Sequence, residues 1–445
     1  MTKFIRFVFL LFVANIGYSQ GKYVIQDNKE SDKIRFKLIN NLIVIPVEVN
    51  GAELTFLLDS GVRKPIIFNF LNSTDSLQIN EPEIIYLRGL GEGEPIEAIR
   101  SRNNVVKIGN AININQNLFA VFNERLNFAP RLGIPVHGII GYDLFNDFIV
   151  EINYSSKYIR LNNPETYEYK ECKKCETLNL EFYNSKPYFN VDIKIGNKQV
   201  PVKLLIDSGG SDALWLFESL EDGIVLDKMY FDDFLGHGLS GSVYGKRSKV
   251  DEVLIKNFVL KDVNVAFPDS TSIAHATKFE ERNGSFSAAL LKRFNVIIDY
   301  HNAKISFKKN RYFNEPFNYN KSGIELEQSG IRIIKEKESR INLEGDRLSS
   351  QNRGTGPKIV FDTKFKLAVK PAFKIVELRK NSPAERIGLK IGDILLYINN
   401  KATFNYNLQE IIHFFYGETN SKIRLKIERN GVPMTFVFRL ESPIK

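Results

Sequence analysis

The chain has 445 residues, of which 43% are apolar, and a formal net charge of +9. This length and composition predict a globular protein with two or three domains. The basic excess is not gathered into a block of lysine and arginine residues, so the sequence argues against nucleic acid as a partner.

The first twenty residues have the pattern of a cleaved secretory signal. Lys3 and Arg6 precede an apolar run at 7–14, which is too short to span a bilayer, and the small residues Gly17 and Ser19 follow it. No later apolar stretch reaches the roughly eighteen residues of a spanning helix, so we expect no transmembrane segment. The sequence predicts a signal peptide at 1–20 and an exported protein, either periplasmic or secreted.

An Asp-Ser-Gly tripeptide occurs twice, each time directly after an apolar run with the character of a buried strand. The two segments are 56–61 (FLLDSG) and 204–209 (LLIDSG). A single copy would be an ordinary turn with a capping carboxylate. Because burial of an unpaired carboxylate is costly, two such acids are best explained if they meet. The repeat predicts a two-carboxylate site formed by Asp59 and Asp207.

Aligning the two triplets brings further features into step. About thirty residues after each triplet, a glycine-rich segment predicts a hairpin tip, at 89–93 and at 236–241. Farther along, the segment 138–141 (GIIG) matches 285–288 (SFSA), which sets Ala288 against Gly141.

This repeat predicts a tandem duplication of two mostly β lobes. The first lobe is predicted at 33–165, an inter-lobe linker at 166–180 and the second lobe at 181–310. The linker contains the two cysteines, Cys172 and Cys175. A zinc site would need two further ligands, and the histidines are distant in sequence. A local disulfide or two free thiols are favoured over a redox site in an exported protein, and we expect neither a metal nor a cofactor.

Together these features resemble the aspartic peptidases, and most closely the retropepsin-like type. The resemblance implies a bilobal β architecture with one shared cleft, in which Asp59 and Asp207 are the catalytic dyad. It also implies that the residues around the acids support the active turns, namely Ser60, Gly61, Ser208 and Gly209. The glycine-rich tips would be flaps that cover the substrate, with Gly89, Leu90, Gly91, Gly238, Leu239 and Ser240 as contact residues.

The chemistry needs both acids. Two carboxylates that share one proton supply a base to deprotonate water and an acid to protonate the amide. The charged role is assigned to neither Asp59 nor Asp207. The resemblance therefore implies an aspartic endopeptidase acting on protein or peptide substrates. The alternative is a catalytically inactive, peptide-binding scaffold built on the same fold.

The C-terminal part has a different character. Residues 331–358 are polar and charge-rich and are interpreted as an inserted loop. The following segment 381–399 resembles the PDZ domain of bacterial exported proteases, and the domain is predicted at 320–443. By this resemblance, a strand that begins at Gly323, Ile324 and Leu326 and a helix at 408–415 would form a groove for peptide tails by strand addition. The alternative is a domain that serves only as a structural cap.

The fold class expected from the whole sequence is mainly β. It consists of a bilobal aspartic-protease-like architecture followed by a PDZ domain of the α+β type, a small and partly open barrel. The function expected is that of an exported endopeptidase whose PDZ domain binds substrate or partner peptides.

Overall fold

The computed structural model describes residues 21–68, 78–122, 127–226, 229–343 and 359–444, and for 337–343 and 359–364 it describes the backbone alone. The predicted signal peptide at 1–20 lies outside the described residues. The chain divides into two compact units, one of Met1–Ala129, Ile134–Tyr319 and Ser442–Lys445 and one of Pro130–Gly133 and Asn320–Glu441. The mainly β fold is confirmed, and the predicted bilobal peptidase architecture stays a prediction.

The first half of the first unit forms a nine-stranded sheet. Its strands are β1 (Val24–Ile25), β3 (Lys37–Ile39), β4 (Leu42–Val49), β5 (Ala52–Leu58), β6 (Ile66–Phe68), β7 (Glu83–Leu87), β8 (Ile96–Ile108), β9 (Ala111–Val121) and β10 (Gly138–Ile140). The strand order is β1-β9-β6-β10-β5-β4-β8-β7, with β3 paired to β4. This sheet places β10 between β5 and β6.

The second half forms an eight-stranded sheet of the same plan. Its strands are β14 (Glu181–Tyr183), β15 (Lys186–Ile195), β16 (Lys198–Asp207), β17 (Leu214–Leu216), β18 (Phe231–Gly238), β19 (Gly241–Ile255), β20 (Phe258–Pro268) and β21 (Gly284–Ser287). The order is β14-β15-β16-β21-β17-β20-β19-β18. Here β21 lies between β16 and β17, as β10 does between β5 and β6.

A third sheet of six strands takes three strands from each half. They are β2 (Ser31–Arg35), β11 (Ile149–Asn153), β12 (Tyr158–Asn162), β13 (Cys175–Asn179), β22 (Phe294–Asp299) and β23 (Lys304–Lys309). The order is β13-β23-β22-β11-β12-β2, and the halves join where β11 runs antiparallel to β22. The three sheets share one hydrophobic core, to which each fully buried Leu, Ile or Phe side chain contributes roughly 1.5–3 kcal/mol.

Local sequence accounts for the hairpins that carry the acids. In β4 and β5 apolar residues alternate, and the pair Val49 and Ala52 closes a two-residue turn at Asn50-Gly51. Both turn residues have positive φ, of 48° and 85°, a conformation that Asn and Gly tolerate. The second copy turns at Gly196-Asn197 between Ile195 and Lys198.

The helices are short. They are α1 (Ala129–Leu132), α2 (Tyr142–Asp147), α3 (Ser270–Ile273), α4 (Ala288–Leu291), α5 (Pro383–Arg386) and α6 (Leu408–Phe414), with 3-10 turns at Ala276–Lys278 and Thr403–Asn405. Among the described residues, no helix is both long and apolar enough to cross a membrane.

The predicted linker at 166–180 is partly structured. Cys172 and Cys175 are joined by a disulfide, which decides between the two alternatives left by the sequence. Strand β13 begins at Cys175 and pairs with β23. The second half therefore begins its regular structure inside the segment that was predicted to be linker.

The second unit contains a six-stranded sheet with its own core. Its strands are β24 (Ile324–Leu343), β25 (Ile359–Leu378), β26 (Ile394–Ile398), β27 (Lys401–Ala402), β28 (Lys422–Arg429) and β29 (Val432–Arg439). The order is β24-β25-β26-β28-β29, with β27 paired to β26.

The interpretation of 331–358 as a loop was wrong for residues 331–343, because they continue β24. They pair with 359–371 of β25 in one long antiparallel ladder. An ion pair crosses this polar ribbon diagonally, from Glu336 to Lys370 at 2.8 Å, while Lys366 lies directly opposite Glu336. Residues 344–358 of the predicted loop lie outside the described residues.

Candidate functional site

Each Asp-Ser-Gly triplet follows a buried strand of its sheet. Strand β5 ends at Leu58, directly before Asp59, and strand β16 ends at Asp207. Parallel neighbours flank these strands, with Ile140 of β10 beside Leu58 and Ser287 of β21 beside Asp207. The chain turns at the first triplet, where the N–H of Val62 donates to the carbonyl of Asp59 at 3.3 Å. Each aspartate therefore lies at the end of its strand.

The two serines hold the triplets together. The Ser60 hydroxyl donates to the carbonyl of Ile206 at 2.6 Å and accepts from the N–H of Ser208 at 3.1 Å. The Ser208 hydroxyl donates to the carbonyl of Leu58 at 2.9 Å and accepts from the N–H of Ser60 at 2.9 Å. Both serines are fully buried. These four reciprocal bonds fix the two acid-bearing turns against each other.

The carboxylates border the same small space. Asp59 accepts a hydrogen bond from the N–H of Gly61 at 2.7 Å, and Asp207 accepts from the N–H groups of Gly209 and Gly210 at 3.1 and 2.9 Å. A methyl group built on Gly61 would lie 3.1 Å from Oδ1 of Asp59 and 4.0 Å from Oδ1 of Asp207. One built on Gly209 would collide with the carboxyl group of Asp59. Glycine is therefore required where the turns meet.

The two acids are electrostatically coupled. Each is half-buried, and protein atoms crowd around both carboxyl groups. Burial, and then the charge of Asp207, raise the pKa of Asp59 to about 7. Burial also raises the pKa of Asp207, while the positive charge of Arg282 opposes this rise most strongly. The pair consequently retains a proton above the pH at which an ordinary aspartate loses it.

The two glycine-rich segments are hairpin tips, and they meet. Strands β7 and β8 flank 89–93, and strands β18 and β19 flank the second tip. Ser240 joins the tips: its hydroxyl accepts from the N–H of Gly89 at 3.1 Å, its N–H donates to Leu90 at 2.9 Å and its carbonyl accepts from Gly93 at 2.7 Å. Leu239 packs so closely on Gly89 that a methyl group there would lie 2.6 Å from its Cβ.

The matching of Gly141 with Ala288 was wrong by one residue. In the strand register Ile140 lies beside Leu58 and Phe286 beside Ile206, so Ser287 is the counterpart of Gly141. The second copy thus contains a glycine at the start of the segment, Gly284, in the place of Gly138. A methyl group on Gly141 would collide with the carbonyl of Asp59, which explains the glycine in the first copy.

Two cations near the acids were missed by sequence reasoning. Arg282 is buried, and its guanidinium donates to the Ser285 hydroxyl at 2.7 Å and to the Gly284 carbonyl at 3.1 Å. Lys186 begins strand β15, and its charge lowers the pKa of both Asp59 and Asp207. One sequence pattern could have indicated Lys186: counting along the predicted hairpin of β15 and β16 brings this residue to the same end as Asp207. That count requires the pairing register of the two strands, which was not predicted as far as Lys186.

The second unit has a different kind of candidate site. Strand β24 is the terminal strand of its sheet, so one of its edges has no ladder partner among the described residues. Helix α6 is the helix predicted at 408–415, and it begins with a capping box in which Asn407 and Glu410 exchange hydrogen bonds. A cavity of about 440 Å³ is lined by residues that include Gln328, Phe373 and Tyr406.

Residues 374–429 match the family model of the PDZ domain. The match covers most of the core of the second unit, and a PDZ domain suggests binding of a peptide or a partner. No curated protein matches the chain at a significant level.

Of the predicted groove residues, Gly323 directly precedes β24, and Ile324 and Leu326 lie within its first three residues. Ile324 and Leu326 have buried side chains that belong to the core with Ile411. The backbone N–H groups of Gly323 and Ile324 donate to Asn320 Oδ1 at 3.2 Å and to Ser322 Oγ at 3.0 Å. These donors are occupied, so the free edge of β24 beyond them is the candidate for strand addition.

Proposed function

We propose that the first unit is an aspartic endopeptidase and that Asp59 and Asp207 are its catalytic pair. The observation that carries the proposal is the reciprocal bonding of Ser60 and Ser208, which brings two coupled carboxyl groups to one cleft. The flap tips that meet through Ser240 support the same function, because an extended peptide needs a removable cover of this kind.

The proposed reaction uses both protonation states of the pair. The ionised carboxylate removes a proton from water, whose oxygen attacks the carbonyl carbon of the peptide bond, while the neutral carboxyl donates its proton to the carbonyl oxygen. In the second step the tetrahedral diol returns a proton to the pair and the amide nitrogen gains one. The carbon–nitrogen bond then breaks, yielding a carboxylic acid and an amine.

We propose further that the protein is exported and that its PDZ domain binds the tails of substrates or partners. The signal pattern at 1–20 and the disulfide of Cys172 and Cys175 support export, since disulfides persist in oxidising compartments. The free edge of β24 next to a polar and apolar cavity supports peptide binding.

The test is peptide hydrolysis by the full chain and by two variants, Asp59→Asn and Asp207→Asn. Each variant should retain its fold, seen by circular dichroism, and lose at least about 10³-fold in turnover because one acid cannot serve both steps. Asp27→Asn, which changes an exposed aspartate on a surface turn, is the matched control and should cleave normally. Fragments are followed by mass spectrometry.

Two outcomes would contradict the proposal. Cleavage by either dyad variant at the wild-type rate would show that Asp59 and Asp207 are not the catalytic pair. Binding of peptides without fragments at any pH between 3 and 8 would favour the inactive peptide-binding scaffold instead.

A further inference from the structure

Lys186 lies at a position where the fold does not require a charged residue. The ladder of β15 with β16 ends at the pair Tyr188 and Leu205, and Lys186 and Asp207 each lie two residues beyond that pair, at the same end of the hairpin. In the first half the ladder of β4 with β5 ends at Val44 and Leu57, and the residues at the matching positions, two beyond that pair, are Leu42 and Asp59. The duplicated architecture thus accepts an apolar residue here, and the second copy has an ammonium group instead.

This ammonium group lacks a direct partner. Lys186 is half-buried, and within the described part of the chain its Nζ makes neither a hydrogen bond nor an ion pair. Burial, and then the charge of Arg282, lower its pKa, although the two dyad carboxylates act in the opposite sense. The Nζ of Lys186 is not one of the fully buried polar atoms that lack a partner, so it reaches solvent and can receive an anion.

The charged groups around Asp59 and Asp207 sum to a net positive charge. A dyad that shares one proton has a single negative charge, whereas Lys186 and Arg282 contribute two positive ones. Arg282 is anchored by Ser285 and Gly284, which leaves Lys186 as the cation free to engage a ligand. The charges of Arg88 and Lys278 extend the basic region, since with Lys186 they lower the pKa of His275 beyond the effect of burial.

We propose that Lys186 forms a subsite that binds the carboxylate of a glutamate or aspartate side chain of the peptide substrate. The proposal rests on the proposed peptidase function, and it names the substrate class as acidic peptides. A carboxylate held by Lys186 would neutralise the excess charge and fix an acidic residue of the substrate close to the bond that is cleaved.

The test uses pairs of fluorogenic octapeptides that differ only by glutamate or glutamine at one position, with the position moved through the peptide. In the wild type one position should favour glutamate in kcat/KM on the order of tenfold, because a charged hydrogen bond is lost with glutamine. Lys186→Met should bring this ratio close to one, and Lys186→Arg should restore part of it. Lys194→Met is the matched control, since Lys194 is on the same strand and pairs with Glu252 at 3.9 Å.

A second measurement keeps the two proposals separable. Fluorescence anisotropy reports binding of the same peptides to Asp59→Asn, in which hydrolysis is not required. A wild type that cleaves without preferring glutamate, or a preference that survives in Lys186→Met, would overturn the subsite and leave the peptidase intact. If the wild type does not cleave either, the peptidase proposal fails. Equal binding of the glutamate and glutamine peptides to Asp59→Asn would then overturn the subsite as well.

The wild type alone also provides a test that needs no variant. The preference for glutamate should shrink as the ionic strength rises from 0.05 to 0.5 M, because salt screens a partly exposed ion pair. A preference that is independent of salt would contradict recognition by Lys186.

Discussion

At Asp59 the raised pKa lowers the stability of the folded protein at neutral pH. Burial and the charge of Asp207 raise its pKa to about 7, so the folded protein retains a proton that the unfolded chain releases. Below the ordinary pKa of 3.8 the carboxyl group is protonated in both the folded and the unfolded chain, so its raised pKa does not change the free energy of unfolding. As the pH rises from 4 to 7, unfolding releases the proton, and the free energy of unfolding falls.

Replacing this acid should therefore stabilise the protein at alkaline pH. At pH 8 we expect Asp59→Asn to unfold at a higher urea concentration than the wild type, with a free energy of unfolding greater by up to about 4 kcal/mol. At pH 4 this difference should disappear. Urea titrations at both pH values measure the difference, with Asp27→Asn as the control for loss of one carboxylate. An advantage of equal size at both pH values would contradict the raised pKa.

Among the secondary-structure elements, the flap tips depend on close backbone approach. Gly91 has a φ of 113°, and a methyl group there would lie 2.7 Å from the backbone of Ser240 and Gly241. Gly51 also has positive φ, 85°, but a methyl group on it would meet no atom within 4 Å. Comparing a substitution at Gly91 with one at Gly51 therefore distinguishes the effect of backbone strain from the effect of lost contact between the tips.

On the proposed function, we expect Gly91→Ala to weaken peptide hydrolysis while leaving the fold intact. Both substitutions introduce about 1–2 kcal/mol of backbone strain, but only Gly91→Ala prevents the tips from meeting. Its kcat/KM should fall on the order of tenfold, mainly through KM, and Gly51→Ala should cleave normally. An equal loss in both variants, measured with one fluorogenic peptide, would mean that contact between the tips is unimportant.

The same elements illustrate what a single sequence can predict. The hairpins at Asn50-Gly51 and Gly196-Asn197 and both flap tips follow from local alternation and turn residues, and they were predicted. The pairing of β16 with β21 joins residues about eighty positions apart, so the register that makes Ser287 the counterpart of Gly141 could not be read from spacing alone. Lys186 was missed for the same reason, and the polar strand 331–343 was missed because its charges are typical of a loop.

For the whole molecule, two separate cores imply two unfolding events. Leu425 is fully buried in the core of the PDZ domain, whereas Val432 of the adjacent strand is 59% exposed. We expect Leu425→Ala to destabilise the PDZ domain by about 2–5 kcal/mol and Val432→Ala to change little. Calorimetry should record a shift of one transition only, and a single transition that shifts as a whole would contradict separate cores.

The reciprocal serine bonds have a consequence for synthesis. The two serines are 148 positions apart in the chain, so the first acid emerges long before the second. On the proposed function, a nascent polypeptide holds only half of the machinery and cannot attack its neighbours or itself. The proposed proteolytic activity would then arise late, when the second half has folded.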